Sequence, residues 1–418
     1  MHVVHILPGL HVGGAEMALL RMVGTPGAAQ VAPGSNADAG LVVRHTVISM
    51  KPAGSMGRAF ATAGIPVVSL DFSRHPVRSF VSLCRWMRVH RPDVVCTWMY
   101  YADLTGSLAA RLCGLRSVVW GIRSTAVGGI APHWVLRVIC RFGALLSHRL
   151  PRAIVCVAEA SRTSHVAFGY RADVMRVIPN GFDTELMNPQ NFDSLSVRSI
   201  HGFGPEHIVV GQLGRYCAEK DQLGFLKAAR LALDSNAALR FVLVGRDINA
   251  QNSVLMEAVR ELRLEGHVRL LDERPDVAAV LMSFDIFALS STIEGFPNVL
   301  GEAMAMALPC VTTDAGDARL LAGHVVAVVP PSDPQGLADQ LLRLARLTPA
   351  ARGALGQASR ARIVSCYTIH DMRKQFEAVY RDAMGLTAAN MPRLSQSGLQ
   401  QAQLEGSPHV RHHRPPAS

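Results

Sequence analysis

Glu294 and Glu302 stand with seven residues between them in the stretch Ser290–Glu302, SSTIEGFPNVLGE. Carboxylates accept hydrogen bonds from hydroxyl groups, so such a pair suits a sugar. Upstream, Phe284–Leu289 reads as a buried parallel strand, Ser290 and Ser291 leave it, and Gly295 lets the backbone bend tightly. Pro297 suits the first turn of a helix, where no amide hydrogen is needed, and Val299–Leu308 supplies that helix. Strand, polar turn and helix N-terminus make an anion site, with free amides around Phe296, Pro297, Asn298 and Val299 and the helix dipole facing the loop. Two carboxylates beside a phosphate cradle point to a ligand with phosphate and sugar, and a nucleotide sugar is such a ligand. Alone, the pair fits equally a solvated Glu294 and a Glu302 that caps or pairs on a helix surface.

Two cations occupy a matching place upstream. Arg215 and Lys220 lie in Gly214-Arg215-Tyr216-Cys217-Ala218-Glu219-Lys220-Asp221, between the strand Ile208–Leu213 and the helix Leu223–Leu233. Ligands of parallel sheets bind at such strand-to-helix loops. Plain surface solvation is the alternative. Gly13 and Gly14 follow the first strand, His2–Leu7, and precede the helical run Met17–Met22. A glycine-rich turn there lets a ligand approach the backbone, or is simply a tight turn. The G-x-G-x-x-G spacing of a dinucleotide fingerprint is not met.

These loops need strands and helices to position them, and the chain alternates the two. In the first half the expected strands are His2–Leu7, His45–Met50, Pro66–Leu70, Asp93–Trp98, Ser117–Gly121 and Ala153–Val157. Helical stretches such as Arg78–His90 and Asp103–Cys113 lie between them. The second half repeats the pattern with Ile208–Leu213, Phe241–Val244, Val268–Leu271, Asp285–Leu289, Cys310–Thr313 and Val325–Val329. Such alternation predicts parallel sheets covered on both faces, with right-handed crossovers. Val177–Asp183, VIPNGFD, closes the first half, with Asn-Gly as a turn signal. Domains are expected over residues 1–183 and 184–369, with an amphipathic last helix at about 370–384 completing the first. Thr25–Gly40 reads as a flexible loop and 385–418 as a disordered tail.

At 418 residues the chain can bury two full cores, and 49% hydrophobic with 18% charged residues describes a globular protein. A formal charge of +10 points to anionic surroundings: nucleotide phosphates, acidic lipid or nucleic acid. Aromatics at 6%, without a basic-aromatic pattern, argue against nucleic acid. Eight scattered cysteines without C-x-x-C indicate neither a zinc site nor a disulfide framework. No apolar run is long enough to span a bilayer, and MHVVHILPGL reads as a first strand, not a leader.

The string EGFPNVLGEAMAMALPCVTTD closely resembles the E-x7-E region of retaining GT-B glycosyltransferases of the large family-four group. Gly13 and Gly14 in GGAE, Arg215 and Lys220 in G-R-x4-K, and VIPNG-x-D at the domain junction match the same family, so the resemblance covers most of the chain. It implies an α/β GT-B fold: two Rossmann-like domains with parallel sheets facing a central cleft. It further implies a nucleotide-diphosphate-sugar donor as substrate, no separate cofactor and no metal, and no D-x-D pair stands out. Carried over by position, Glu302 binds the donor ribose, and Glu294 contacts the transferred sugar near the reacting face. Arg215, Lys220 and the amides around Pro297–Val299 neutralise the leaving diphosphate, with Ser290 at the entry to the loop. The expected acceptor is a glycan or a lipid-linked oligosaccharide in polysaccharide assembly. A GT-B-like nucleotide-sugar epimerase and a catalytically silent nucleotide-sugar-binding protein are the alternatives.

Two departures stand out. Residues 25–40 replace the usual continuation of the first helix, and Arg123 stands where many members of the family carry a His. Tyr100, Tyr101 and Asp103 follow another strand end and join Arg123 as acceptor-side candidates; packing at a helix start is the other reading for the three. Between Asp103 and Glu159 there is no acidic residue, while seven arginines fall there. Pro132–Leu150 reads as a helix with His133, Arg137, Arg141 and His148 on one side and Val135, Ile139, Phe142 and Leu146 on the other. The expectation is that the apolar side packs on the sheet and the basic side rests on anionic lipid, placing the protein peripherally on the cytoplasmic inner face of the membrane.

Overall fold

The computed structural model describes residues 1–11, 13–24, 43–125, 127 and 134–386. The loop expected over 25–40 and all but the first two residues of the expected tail lie outside them. Seven parallel strands form the first sheet: β1 (His2–Leu7), β2 (Arg44–Ser49), β3 (Val67–Ser69), β4 (Val94–Trp98), β5 (Val118–Ile122), β6 (Ala153–Cys156) and β7 (Met175–Val177). Their order is β3-β2-β1-β4-β5-β6-β7. Helices α1 (Gly14–Gly24), α2 (Ser55–Thr62), α3 (Pro76–His90), α4 (Tyr100–Leu112), α5 (Trp134–Ser147) and α6 (Glu159–Phe168) alternate with them. The short edge strand β7, Met-Arg-Val, went unread because its central arginine is exposed and interrupts any apolar run.

After α7 (Ser194–Val197) comes a second parallel sheet of β8 (Ile208–Leu213), β9 (Leu239–Val244), β10 (Val268–Leu271), β11 (Ile286–Leu289), β12 (Cys310–Thr313) and β13 (Ala327–Val329). Its order is β10-β9-β8-β11-β12-β13. Around it lie α8 (Gln222–Ser235), α9 (Ser253–Glu261), α10 (Val277–Met282), α11 (Asn298–Ala305), α12 (Ala318–Ala322), α13 (Pro334–Ala345) and α14 (Pro349–Cys366), and α15 (Ile369–Ala383) ends the described chain's helices. The two sheets give the α/β architecture expected from alternation.

Strands buried on both faces must be apolar nearly throughout, and VVCTW (β4), VVWGI (β5) and AIVC (β6) are wholly buried. Alternate side chains serve opposite cores. Val3 and Leu7 pack with α1, α2 and α15, while Val4 and Ile6 pack with α3, α4 and α5. The last helix buries Met372, Phe376, Val379 and Tyr380 in the core of the first sheet, as its amphipathic pattern predicts.

Helix α5 corrects an expectation. It buries Cys140, Gly143, Ala144 and Ser147, while Phe142, expected inside, is 56% exposed. A Cβ on Gly143 would sit 2.6 Å from Tyr170 Oη, so only a small-residue stripe approaches this closely. Contact distance, not hydrophobicity, set the rotation of the helix.

In each sheet the strand order reverses at one place: β1 lies between β2 and β4, and β8 between β9 and β11. Connections diverge to opposite faces there, leaving a crevice beyond the C-terminal strand ends. Gly13 and Gly14 follow β1, Arg215 follows β8, and the Ser290–Pro297 loop follows β11. The fold therefore brings the sequence motifs to the two switch points.

Candidate functional site

Between the two sets of strand ends lies a cavity of about 880 Å³ lined by Gly14, Arg123, Arg215, Lys220, Glu294, Gly295, Phe296, Asn298 and Val299, among others. A second, of about 510 Å³, shares Gly14, Arg215 and Val299 with it and extends to Gly13, Arg246, Glu273, Arg274 and Glu302. Ten of the twelve residues singled out for the ligand therefore line connected space, and the other two support it.

Those two are Ser290 and Pro297. Ser290 Oγ donates to the carbonyls of Lys220 and Asp221 at 2.9 and 3.0 Å and accepts from Gln212 Nε2 at 2.7 Å. It ties the loop after β11 to the loop after β8, so its place is beneath the site. Pro297 stands at the N-cap of α11, one residue before the helical turn it was expected to open. No side chain caps this helix. The amides at Asn298 and Val299 open it beside the cavity, a ready partner for an anion.

Lys220 Nζ lies 2.5 Å from Glu294 Oε1, and Ser291 Oγ donates to the same oxygen at 2.7 Å. The two charged side chains are 20% and 10% exposed, so the pair is well shielded. Glu302 Oε1 is held by Arg21 Nη2 at 2.6 Å. Gly295 has an ordinary backbone; its smallness matters because a Cβ there would meet Thr125 Oγ1 at 3.3 Å. The tight approach joins the two halves, and Thr125 Oγ1 donates to the Glu294 carbonyl at 3.0 Å.

On the opposite wall, Arg123 Nη1 donates to Asn180 Oδ1 at 3.1 Å, and Asn180 Nδ2 donates to Asn298 Oδ1 at 2.8 Å. This relay carries the first-sheet wall onto the N-terminus of α11. The guanidinium stacks 4.3 Å over Trp98, its Nε and Nη2 are shielded from solvent without hydrogen bonds, and burial pushes its pKa down to about 10.

The other acceptor-side candidates do not line the cavity. Tyr100 is buried, its Oη 2.9 Å from His165 Nε2, and Tyr101 points outward from α4 at 45% exposure. Asp103 is in the core, accepting from Thr97 Oγ1 at 2.6 Å, with burial raising its carboxyl to about 7. One residue's offset along α4 turns each side chain about 100°, which position after a strand cannot reveal.

Sequence reasoning missed several wall residues. Arg246 follows Gly245 after β9 as Arg215 follows Gly214 after β8, a strand-Gly-Arg repeat that was legible. Arg21, Thr125 and Asn180 gave no comparable signal. Neither did Asp317, whose carboxylate accepts from the Glu159 and Ala160 amides at 2.7 and 2.9 Å and caps α6 from the other half. Among the described residues no cluster of three His, Cys, Asp or Glu side chains could hold a metal ion.

Comparison with known proteins gives two family matches: Glycosyltransferase Family 4 over residues 37–186 and Glycosyl transferases group 1 over residues 205–346. The chain is 26% identical over 242 residues to the UDP-Gal:alpha-D-GlcNAc-diphosphoundecaprenol alpha-1,3-galactosyltransferase of Escherichia coli, covering 57% of this chain and 62% of the relative. It is 29% identical over 193 residues to the amylovoran biosynthesis glycosyltransferase AmsK of Erwinia amylovora, covering 43% and 44%. The matches thus span less than two thirds of these relatives' own lengths. Among solved structures, Anabaena HepE in complex with UDP superposes with a TM-score of 0.75 at 21% identity, over 90% of this chain and 98% of that one. Sucrose-phosphate synthase from Thermosynechococcus elongatus gives 0.71 at 16% identity, over 92% and 100%. These likenesses show a shared fold.

Proposed function

The chain belongs to the family-four glycosyltransferases of GT-B fold, and from that premise we propose that it transfers a sugar from a nucleoside-diphosphate sugar to a glycan or lipid-linked acceptor in polysaccharide biosynthesis, with retention at the anomeric carbon. One observation carries the reading. Arg215, Lys220 and the uncapped N-terminus of α11 converge on one cavity beside the shielded carboxylate of Glu294.

In the reaction the bond between anomeric carbon and phosphate oxygen breaks, and the acceptor hydroxyl oxygen takes its place. The nucleoside diphosphate leaves with the bonding electrons, and the acceptor's proton ends on phosphate or solvent. Arg215, Lys220 and the helix amides stabilise the charge that grows on the leaving group. These groups supply the neutralisation required, so we assign the reaction no divalent ion. Glu294 faces the transferred sugar, and Glu302, in the adjoining space, takes the ribose hydroxyls. A two-step route needs Glu294 as nucleophile, while a front-face route needs it only to stabilise the developing positive charge.

The E. coli relative is named for a diphosphoundecaprenol-linked substrate, and a lipid carrier of that kind would bring this enzyme to the cytoplasmic face of a membrane. No described helix is long and apolar enough to cross one. The test is a panel of labelled UDP-, GDP- and TDP-sugars with a lipid extract, with and without EDTA. A labelled glycoside whose formation survives EDTA is expected. Epimerised donor without glycoside, or nucleotide binding without any product, would overturn the reading.

A further inference from the structure

Helices α3, α4 and α5 lie side by side over one face of the first sheet, and what they turn outward is unusual. Exposed large apolar side chains number eighteen among the described residues, and ten of them are on these three helices. On α3 they are Val77, Val81 and Val89; on α4, Tyr101, Leu108 and Leu112; on α5, Trp134, Val138, Phe142 and Leu145. An apolar face of this extent on a soluble protein marks an interaction site.

The charge on this face identifies what covers it. Residues 73–158 contain twelve arginines and only two acids, Asp93 and Asp103. That surplus of ten equals the surplus of the whole chain. Asp103 is buried, which leaves Asp93, exposed before β4 with its Oδ2 accepting from the His2 amide, as the one acid of this stretch open to solvent against the arginines. Arg78, Arg85 and Arg88 stand beside the α3 valines, and Arg137 and Arg141 flank Val138 and Phe142. Where α4 and α5 end, Arg111, Arg116, Arg149, Arg152 and Arg171 surround a concavity of about 350 Å³. Asp173 engages Arg171, and Arg111 donates to backbone carbonyls, but Arg116, Arg149 and Arg152 have no acidic partner among the described residues.

A protein partner offers mixed charges. A surface that is anionic in its outer layer and apolar just beneath matches this face in both respects. We propose that the α3-α4-α5 face inserts into the interfacial region of an anionic bilayer. Its aliphatic and aromatic side chains enter the acyl boundary, and the arginines bind headgroup phosphates, with the concavity seating one of them. All three helices begin at the C-terminal ends of the first sheet's strands, the end at which the cavity opens. An enzyme lying on this face therefore holds its cleft at the membrane surface. The proposal rests on the lipid-linked acceptor of the functional reading and adds the surface that reaches it.

Quenching by lipids brominated on their acyl chains tests it. Trp98 and Trp120 are fully buried, and Trp86 stacks on His90, whereas Trp134 is 71% exposed at the start of α5. Full-length protein is expected to bind phosphatidylglycerol vesicles at least tenfold more tightly than phosphatidylcholine vesicles, with Trp134→Phe abolishing most of the quenching. Phe142→Ser/Leu145→Ser and Arg137→Glu/Arg141→Glu should each lower partitioning at least tenfold, while Leu231→Ser/Val254→Ser on the other half leaves it unchanged. Equal binding to both lipids, absence of quenching, or wild-type binding by both face variants overturns the proposal. Lipid-independent dimerisation abolished by Phe142→Ser/Leu145→Ser does so as well, in favour of a second copy. UDP binding, measured on the same preparations in solution, reports on the donor site separately: it can fail while vesicle binding holds, or hold while vesicle binding fails.

Discussion

Arg21 on α1 and Glu302 on α11, 281 residues apart in sequence, meet as an ion pair of 2.6 Å between the layers of the two sheets. The carboxylate is 7% exposed on its side chain, and its oxygens are fixed beside the smaller cavity. A group held this way is pre-organised for ligand hydroxyls.

If Glu302 takes the ribose, Glu302→Gln should weaken a nucleoside diphosphate by roughly tenfold, the value of one charged hydrogen bond. Arg21→Ala should act in the same direction by releasing the carboxylate. Calorimetric titration with UDP measures both. Two variants that bind as the wild type does would remove the assignment.

Glu294→Gln should behave differently. Its carboxylate shares Lys220 Nζ at 2.5 Å, so neutralising it frees that cation for the diphosphate. Nucleotide affinity should hold or rise, while turnover falls by about 100-fold or more, the usual cost of losing a charge aimed at the transition state. Weakened nucleotide binding in this variant would mean the carboxylate serves the nucleotide itself.

Arg215→Ala and Lys220→Ala each remove a cation from the proposed diphosphate site. Charge-assisted bonds contribute about 1.5–3 kcal/mol, so affinity for the nucleoside diphosphate should fall at least about tenfold with the fold retained. Circular dichroism checks the fold, and unchanged affinity in both variants would dissolve the motif assignment.

Arg123 keeps two shielded nitrogens without partners, against one bond to Asn180 and a stack on Trp98. Unmet buried donors cost about 1–3 kcal/mol, more than a cation–π contact of about 0.5–2 kcal/mol returns. Arg123→Met is therefore expected to raise the thermal midpoint and to lower turnover, because the relay through Asn180 to Asn298 loses its anchor. Differential scanning calorimetry that shows a lower midpoint would mean that the guanidinium stabilises the fold.

Asp103 makes stability depend on pH. Its folded pKa, about 7, lies above the unfolded value of about 3.9, so the folded state binds the proton more tightly. That contribution is fully present below about pH 4 and is lost as pH rises through 7, at up to about 1.4 kcal/mol per pH unit. Asp103→Asn cannot titrate, so its midpoint relative to wild type should climb between pH 5 and pH 8. A difference that stays flat across that range would place the ionised carboxylate in a better environment than the Thr97 hydroxyl alone provides.

Local signals carried the strands, the switch-point loops and most of the cavity wall. A run such as VVCTW can be buried on both faces only in a covered sheet, and a Gly-Arg or Gly-rich turn after a strand marks where a ligand meets the backbone. Gly13, Gly14, Arg215, Lys220, Glu294 and Glu302 were legible for that reason: their place depends on the strand they follow. What faces what along a helix was not. Periodicity turns Phe142 inward, yet the clearance under Tyr170 admits only the stripe through Gly143; for Asp103, an acceptor-side candidate with packing at a helix start as the other reading, only the fold shows that it reaches Thr97 in the core. The partners that cross between the halves, Arg21 with Glu302, Thr125 with Glu294 and Asn180 with Asn298, were also invisible. The sequence by itself determined which loops leave the C-terminal ends of strands, because strand identity and burial follow from local pattern. Only the tertiary structure decided helix rotation and the contacts across the cleft, because those depend on distances of closest approach between segments that no local pattern encodes.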